Sequence, residues 1–438
     1  MNRWWLFLGV VLGVVLAGAG SGHAQVRGTI FGPDSRSYPV AIAPLKSLST
    51  GAAGADIGTR FADIIGRDLT VAGYFKVLDR AAYLEKPDAS GYTADTINFE
   101  SWSVIGALAL VKGAYTVEGD NLTLEARLFD VYQRKLLTGR RYHGPVAEVR
   151  RMANKFADEI MKQFTGDRGP FDSRLAFVST RDSRLSEIYV TSIDEGDLQQ
   201  LTKGQTVTKA PSWSPDSRSL LYTSFKRHNP DLYSIDLLSG RETVISQRQG
   251  LNLGGKYSPD GSLIALTVED NGNSDIVLVD RTGKLVRRLT DNWAIDVSSS
   301  WSPDGKQIAF CSNRSGGPQI YVMSSGGGEA KRLTFTGTNN TSPAWSPKGD
   351  RIAYVSRLDG GFNLFTVKVD GSDVQQLTQG AGDNEDPSWS PDGRYIVFSS
   401  SRTGRRKLFV TDAAGATQVQ LTHGGGDDTS PAWSRWLE

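Results

Sequence analysis

Ser342-Pro343-Ala344-Trp345-Ser346-Pro347-Lys348-Gly349 is the stretch whose reading decides the fold, because it recurs. Trp213-Ser214-Pro215-Asp216, Tyr257-Ser258-Pro259-Asp260-Gly261, Trp301-Ser302-Pro303-Asp304-Gly305, Trp389-Ser390-Pro391-Asp392-Gly393 and Trp433-Ser434-Arg435 repeat its pattern, and each aromatic lies 44 residues from the last. A second marker keeps the same beat: Leu201-Thr202, Ile245-Ser246, Leu289-Thr290, Leu333-Thr334, Leu377-Thr378 and Leu421-Thr422. A fixed period of this length is the mark of a repeat architecture.

Within one repeat, Pro343-Ala344-Trp345-Ser346 is a short apolar run. The Ser-Pro-Lys/Asp-Gly that follows is type I turn chemistry, since proline presets φ and glycine accepts the exit conformation. Arg351-Ile352-Ala353-Tyr354-Val355-Ser356 reads as a buried strand, and Asn363-Leu364-Phe365-Thr366-Val367-Lys368-Val369 as another. Val374-Gln375-Gln376-Leu377-Thr378 reads as a fourth, more polar strand. Four short antiparallel strands per repeat make one blade of a β-propeller. There are six inner strands and six sets of the other three. The first set, opening at Leu175-Ala176-Phe177, has no inner strand before it, and the last inner strand, Ser430-Pro431-Ala432-Trp433-Ser434, has no set after it. Pairing the two closes a six-bladed ring and removes its free edges.

The chain begins with a secretory signal over 1–24. Asn2-Arg3 is its basic start, the apolar run 4–17 is too short to span a bilayer, and small residues at Gly22 and Ala24 set the cleavage site after Ala24. No cysteine follows that run, which argues against acylation; an exported, soluble mature chain beginning at Gln25 is expected, the alternative being an uncleaved membrane anchor. Charge is balanced at 49 basic and 48 acidic residues, which argues against nucleic acid or a strongly anionic surface as partner. The single Cys311 cannot form an internal disulfide and reads as core filling. In the segment 25–37, Val26, Gly28 and Ile30 alternate with polar residues, so it either adds as a strand to a partner or is a mobile terminus.

Residues 38–165 read as a separate α/β domain: a strand at 38–43, a helix over 55–72 stopped by Gly73, and a parallel second strand at 75–79. A hairpin of 107–117 with 121–131, a strand 135–142 and a closing helix 146–164 follow. Residues 166–171 are the linker and 172–438 the propeller.

A search for chemistry finds none. No nucleophile elbow is present, and the histidines after the signal, His143, His228 and His423, are far apart in sequence. Glycine-rich runs such as Ser325-Gly326-Gly327-Gly328 precede no helix and are turn glycines. Asp216, Asp260, Asp304 and Asp392 recur in the turn and read as structural. No catalytic group, cofactor or metal site is expected.

The polarity of a blade is sharper. Loops entering the inner strands and loops between second and third strands share one face, and the Ser-Pro-Asp-Gly turns lie on the other. Thr208, Asn252, Asp296, Asn340, Asn384 and Asp428 recur two residues before the inner strands, as a ring of short polar side chains near the tunnel mouth. They start strands by bonding their own backbone, or they recognise a partner. Glu385, Asp386 and Asp427 make this mouth locally acidic, where a cation could bind, and Arg181, Lys226, Arg227, Arg314, Arg357 and Arg402 sit further out, as solvated charges or as partner contacts. Because the chain enters the propeller at the turn face, the small domain should cover that face and leave the ring open.

These features together resemble the TolB family, periplasmic components of the Tol-Pal system of Gram-negative envelopes. The resemblance covers 25–438. It rests on the signal, Pro39-Val40-Ala41-Ile42-Ala43-Pro44, Asp56-Ile57-Gly58, Leu78-Asp79-Arg80, the six blade motifs and the terminal Pro431-Ala432-Trp433-Ser434. Departures are Tyr257 for Trp, Ser217 for Gly, Lys348 for Asp and Arg435 for Pro. The resemblance implies a monomeric, non-enzymatic periplasmic adaptor. Its propeller would bind the peptidoglycan-associated lipoprotein Pal around the tunnel mouth, and its N-terminal segment would reach the inner-membrane protein TolA. The system supports outer-membrane integrity and constriction at division, and colicins exploit it. Leu251, Gly254 and Val297 match by position the loop sites used for Pal, without the family's residues there. With the ring positions Asn252, Asp296, Asn340, Asn384 and Asp428, and with Thr341, they make up the expected partner site; Gln25, Val26, Arg27 and Ile30 make up the TolA-facing segment. The alternative is an exported propeller acting through its tunnel as an enzyme or as a glycan or small-ligand binder.

Overall fold

The computed structural model describes residues 37–438 apart from 50–53, 55, 87–90, 183, 205, 271 and 359. The signal and the positions Gln25, Val26, Arg27 and Ile30 lie outside the described residues.

The N-terminal region is one sheet flanked by helices. Strands β1 (Tyr38–Ile42), β2 (Lys46–Ser47), β3 (Phe75–Val77), β4 (Ala109–Glu118), β5 (Asn121–Asp130) and β6 (Lys135–Pro145) form it in the order β3-β1-β4-β5-β6, with β2 on β4. β1 runs parallel to β3 across helix α1 (Ile57–Ala72), as the sequence predicts. Gly73 ends α1 at φ 73°, a left-handed turn that glycine enters without a Cβ penalty. The apolar stripe Ile57, Phe61, Ile64, Ile65 and Leu69 packs with Phe156 and Ile160 of α3 (Val149–Thr165), which follows α2 (Phe99–Val104). The sequence reading missed α2. Its Phe99 and Trp102 bury against Ala41, Leu110 and Phe129 on the sheet's other face, so six residues suffice for a helix that packing holds.

The rest is a six-bladed propeller. Five blades run in sequence from inner to outer strand, opening at Thr208, Asn252, Asp296, Asn340 and Asn384. The sixth joins the last inner strand, Asp428–Trp433, to Leu175–Ser179, Glu187–Thr191 and Gln199–Gln200, with Asp428 opposite Ser179 and Trp433 opposite Leu175. The C-terminal strand thus closes the ring.

The repeated residues have individual jobs. In the turns, Ser258 Oγ donates to Asp260, whose carboxylate accepts the Ser262 N–H, and Leu263 N donates back to Ser258 Oγ. The same circuit recurs around Asp216, Asp304 and Asp392. Ser217, in the place of the turn glycine, takes φ 57°. The tryptophans staple neighbouring blades: the indoles of Trp213, Trp301 and Trp389 donate to the carbonyls of Ala432, Lys256 and Ala344, 2.9–3.0 Å away on the preceding inner strand. In five blades the marker follows the fourth strand rather than belonging to it, while Ile245-Ser246 ends that strand in the first blade; the strand shrinks to Gln375–Gln376 in the repeat quoted first. The threonine turns inward, and Thr202, Thr290, Thr334, Thr378 and Thr422 each accept the N–H of a buried residue early in the third strand at 2.9 Å. Between blades, apolar side chains interdigitate, as where Ile276 and Leu278 meet Phe310 and Tyr321. Each fully buried side chain of this size stabilises by about 1.5–3 kcal/mol.

The small domain rests on the turn face, at blades 5 and 6. Arg150 and Arg67 hold Asp194 at 2.6 and 3.0 Å, Tyr395 donates to Ala72 O, and Arg394 reaches Thr165 and Asp167. Arg151 donates to the Glu438 carbonyl. One apolar cluster runs through the seam, from Phe61 and Phe156 to Phe177, Tyr395 and Trp433. Burial works against the Asp194 charge, but Ser192, Arg150 and Arg67 outweigh it and hold the carboxyl below its ordinary value. The sequence predicts this side for the small domain, and its contacts lie there.

Candidate functional site: the open face and the channel

On the face away from the small domain, the structure corrects the reading of the polar ring. Thr208, Asn252, Asp296, Asn340, Asn384 and Asp428 are the first residues of the inner strands, not two residues before them, and their side chains are buried, with Asn252, Asp296, Asn340, Asn384 and Asp428 at 0 % exposure. They do not line the mouth as free groups. Asn340 donates to Gln319 Oε1 of the preceding blade, and Asn384 bonds Asn363 in the same way. Asn252 accepts from Ser246 Oγ and donates to the Arg248 carbonyl. Each clasps the end of one blade to the next, because loop backbone buried there needs partners. The ring's hydrogen bonds thus run to the preceding blade as well as to its own loop backbone.

The outer arginines divide. Arg314 forks onto Asp296 at 3.0 Å to both oxygens and stacks on Phe310 and Tyr321. Arg402 bonds Asn384 and stacks on Phe409, and Arg181 reaches Asp428 at 3.2 Å. These three are internal struts rather than solvated charges. Asp428 also accepts Lys407 Nζ at 3.1 Å, so the closing strand is pinned by one buried carboxylate between two cations from different blades. Lys226 and Arg227 remain near the surface, bonded to Glu242 and Gln247.

Just inside this ring every inner strand carries a β-bulge, with a register shift such as that between Val297 and Ser300. Its third residue is left-handed in all six blades: Ala210, Gly254, Ser298, Ser342, Asp386 and Ser430, at φ 48–66°. Only Gly254 is a glycine, so five strands hold a side chain in a conformation costing on the order of 1–3 kcal/mol. Around these bulges, Leu251, Gly254, Val297 and Thr341 are partly exposed, so of the predicted partner site these four remain reachable.

The face also presents groups that the sequence reading missed. Trp293 and Ile295, in the loop entering blade 3, are 74 % and 50 % exposed, and Phe335, in the loop entering blade 4, is 72 % exposed. Ile295 N donates to Asn313, tying its loop to blade 3, and Arg332 stacks on Phe335 at 4.8 Å. The signal was present: in the column of Trp293 the other repeats carry Gln205, Gln249, Gly337, Ala381 and Gly425, and in that of Phe335 they carry Lys203, Gln247, Asp291, Gln379 and His423. An aromatic in a polar or glycine column is a departure that the repeat does not require.

The acidic mouth is internally engaged. Glu385 pairs with Arg406, Asp386 accepts from Ser430, and Asp427 accepts the Arg406 N–H. Among the described residues no group of three or more His, Cys, Asp or Glu could hold a metal ion. Cys311 is buried, its thiol pushed up to about 12 by burial and then by Asp296, and it packs in the core. His143 meets Thr123 and His423 meets Glu195, far from each other in the chain. The channel end nearer the turn face is a cavity of about 280 Å³ built from the later positions of the inner strands, the Ser-Pro turns of five blades and Ser434-Arg435 of the sixth.

Two family models match the chain: the TolB amino-terminal domain over residues 27–137 and the TolB beta propeller domain over 161–437. The Tol-Pal system protein TolB of Desulfosudis oleivorans is 39% identical over 51% of this chain and 51% of its own, and that of Syntrophotalea carbinolica is 40% identical over 49% of each. The chain spans about half the length of these curated relatives in the matched region. The crystal structure of TolB from Acinetobacter baumannii superposes with a TM-score of 0.79 at 28% identity, over 91% of this chain and 97% of that one. With an N-terminal α/β region, a closed six-bladed propeller and a propeller-family match over more than half its length, the chain belongs to the TolB family.

Proposed function

We propose that the chain is a non-enzymatic periplasmic adaptor of the Tol-Pal system, docking the lipoprotein Pal on its open propeller face and TolA through residues 25–37. In this role it supports outer-membrane integrity and constriction at division. The observation that carries the reading is the asymmetry of the faces. One carries the small domain, at blades 5 and 6; the other exposes Trp293, Ile295 and Phe335 beside the partly exposed Leu251, Gly254, Val297 and Thr341. Exposed aromatics rimmed by polar loops are the usual anchors of a protein interface. The names of the relatives support the system, and the signal read in the sequence supports the compartment. No helix among the described residues is long and apolar enough to cross a membrane.

The test is binding of purified Pal to residues 25–438 and to a Trp293→Ala, Phe335→Ala variant. Binding by the first and at least ten-fold weaker binding by the second support the reading; equal binding refutes the assigned face, and no binding by either refutes the adaptor. Changing Asn252, Asp296 and Asn340 instead would remove buried clasps and confuse unfolding with lost contact. Deleting residues 25–37 should abolish TolA binding and leave Pal binding in place.

A further inference from the structure

We propose that the central channel binds one small oxyanion, a carboxylate or a phosphate, through the ammonium of Lys256. The fifth positions of the other inner strands are Ser212, Ser300, Ala344, Ser388 and Ala432, all small. A lysine in this column is not required by blade packing. Its carbonyl already does the repeat's work, accepting the Trp301 indole at 3.0 Å.

The surroundings are those of an anion site. The charged lining residues of the cavity are Lys256 and Arg435, both cationic, and no carboxylate lines it among the described residues. Ser300 Oγ and Ser388 Oγ each accept a backbone N–H, from Trp345 and Trp433 at 2.9 Å, which leaves their own hydrogens to donate. Lys256 Nζ has no hydrogen bond or ion pair with any described residue. The carboxylate that acts on it, Asp386, lies beyond ion-pair distance and is engaged by the N–H and hydroxyl of Ser430. Burial therefore weighs on the ammonium and lowers its pKa. Lys256 is partly exposed, and no carboxylate among the described residues pairs with its ammonium, so a bound anion would supply the missing counter-charge. A cavity of about 280 Å³ admits a small ion with a few waters and excludes a folded partner.

The experiment is calorimetric titration of residues 25–438 with acetate, succinate and inorganic phosphate in a buffer free of other oxyanions. One-site saturation by at least one is expected, and the preferred ion separates carboxylate from phosphate. Lys256→Met should weaken binding at least ten-fold, and the Ser300→Ala, Ser388→Ala pair about three-fold. Should Lys256→Met fail to fold, Lys256→Gln makes the same comparison. Failure of every ion to saturate overturns the proposal, as does unchanged affinity in the Lys256 variants or loss of binding in Arg435→Met alone. Pal binding is measured separately, so the adaptor reading stands or falls independently.

Discussion

The two faces of the propeller obey different rules. On the turn face the repeat is kept nearly residue for residue: serine, aspartate and glycine close the same hydrogen-bonded turn, and the small domain settles on its products at blades 5 and 6. On the open face only the buried layer repeats, as the ring from Thr208 to Asp428 and the bulges behind it. The exposed layer is free to differ, and there Trp293 and Phe335 break their columns. In a repeat protein, periodic polar residues are candidates for structure first, and departures from the period are candidates for recognition.

This contrast can be broken most violently at Asp428. Asp428→Ala leaves Lys407 buried without a carboxylate and Arg181 with Glu195 alone, and loosens the strand that closes the ring, so a loss of about 3–5 kcal/mol is expected in urea unfolding. Asn340→Ala, at the equivalent neutral clasp, should cost about 1–3 kcal/mol. Equal costs would mean that charge plays no special part in closure. Next comes recognition. Trp293→Ala and Phe335→Ala should each weaken Pal binding by about 2 kcal/mol, near thirty-fold, with unfolding midpoints almost unchanged. Trp389→Phe removes the staple to Ala344 and should cost about 1 kcal/mol, measured by thermal unfolding, because a buried carbonyl loses its donor.

The smallest effect is electrostatic. The Ser258 hydroxyl and the Ser262 N–H hold Asp260 at about 2. A carboxyl depressed in the folded state adds stability that is present above its unfolded value near ~3.9 and is lost as pH falls toward the folded one. Ser258→Ala should move the Asp260 carboxyl upward in a chemical-shift titration and weaken the turn above pH ~4, with the difference from the parent protein fading as the pH falls toward the folded value.

Much of this architecture was legible in the sequence. The step between Trp213, Trp301 and Trp389, and the orphaned strand at 430–434, gave the blade count and the closure, because packing six sheets in a ring demands the same residues at the same spacing. The side taken by the small domain followed from the blade's polarity. What stayed hidden needed three dimensions. Asn252 and Asp296 carry polar side chains at a loop-to-strand junction, and sequence alone does not say whether such a group faces water or the next blade. Arg314 and Arg402 look like surface charges until their stacking partners are known. The bulges were invisible because alanine, serine and aspartate give no sign of left-handed backbone. Helix α2 escaped because six residues are too few to show a period.

The measurement that most directly tests the central claim is hydrogen–deuterium exchange of residues 25–438 with and without Pal. The account predicts new protection in the loops around 291–297 and 335–341, with the Ser-Pro-Asp-Gly turns unchanged. Protection confined to those turns or to the small domain, with none at Trp293 or Phe335, would contradict it.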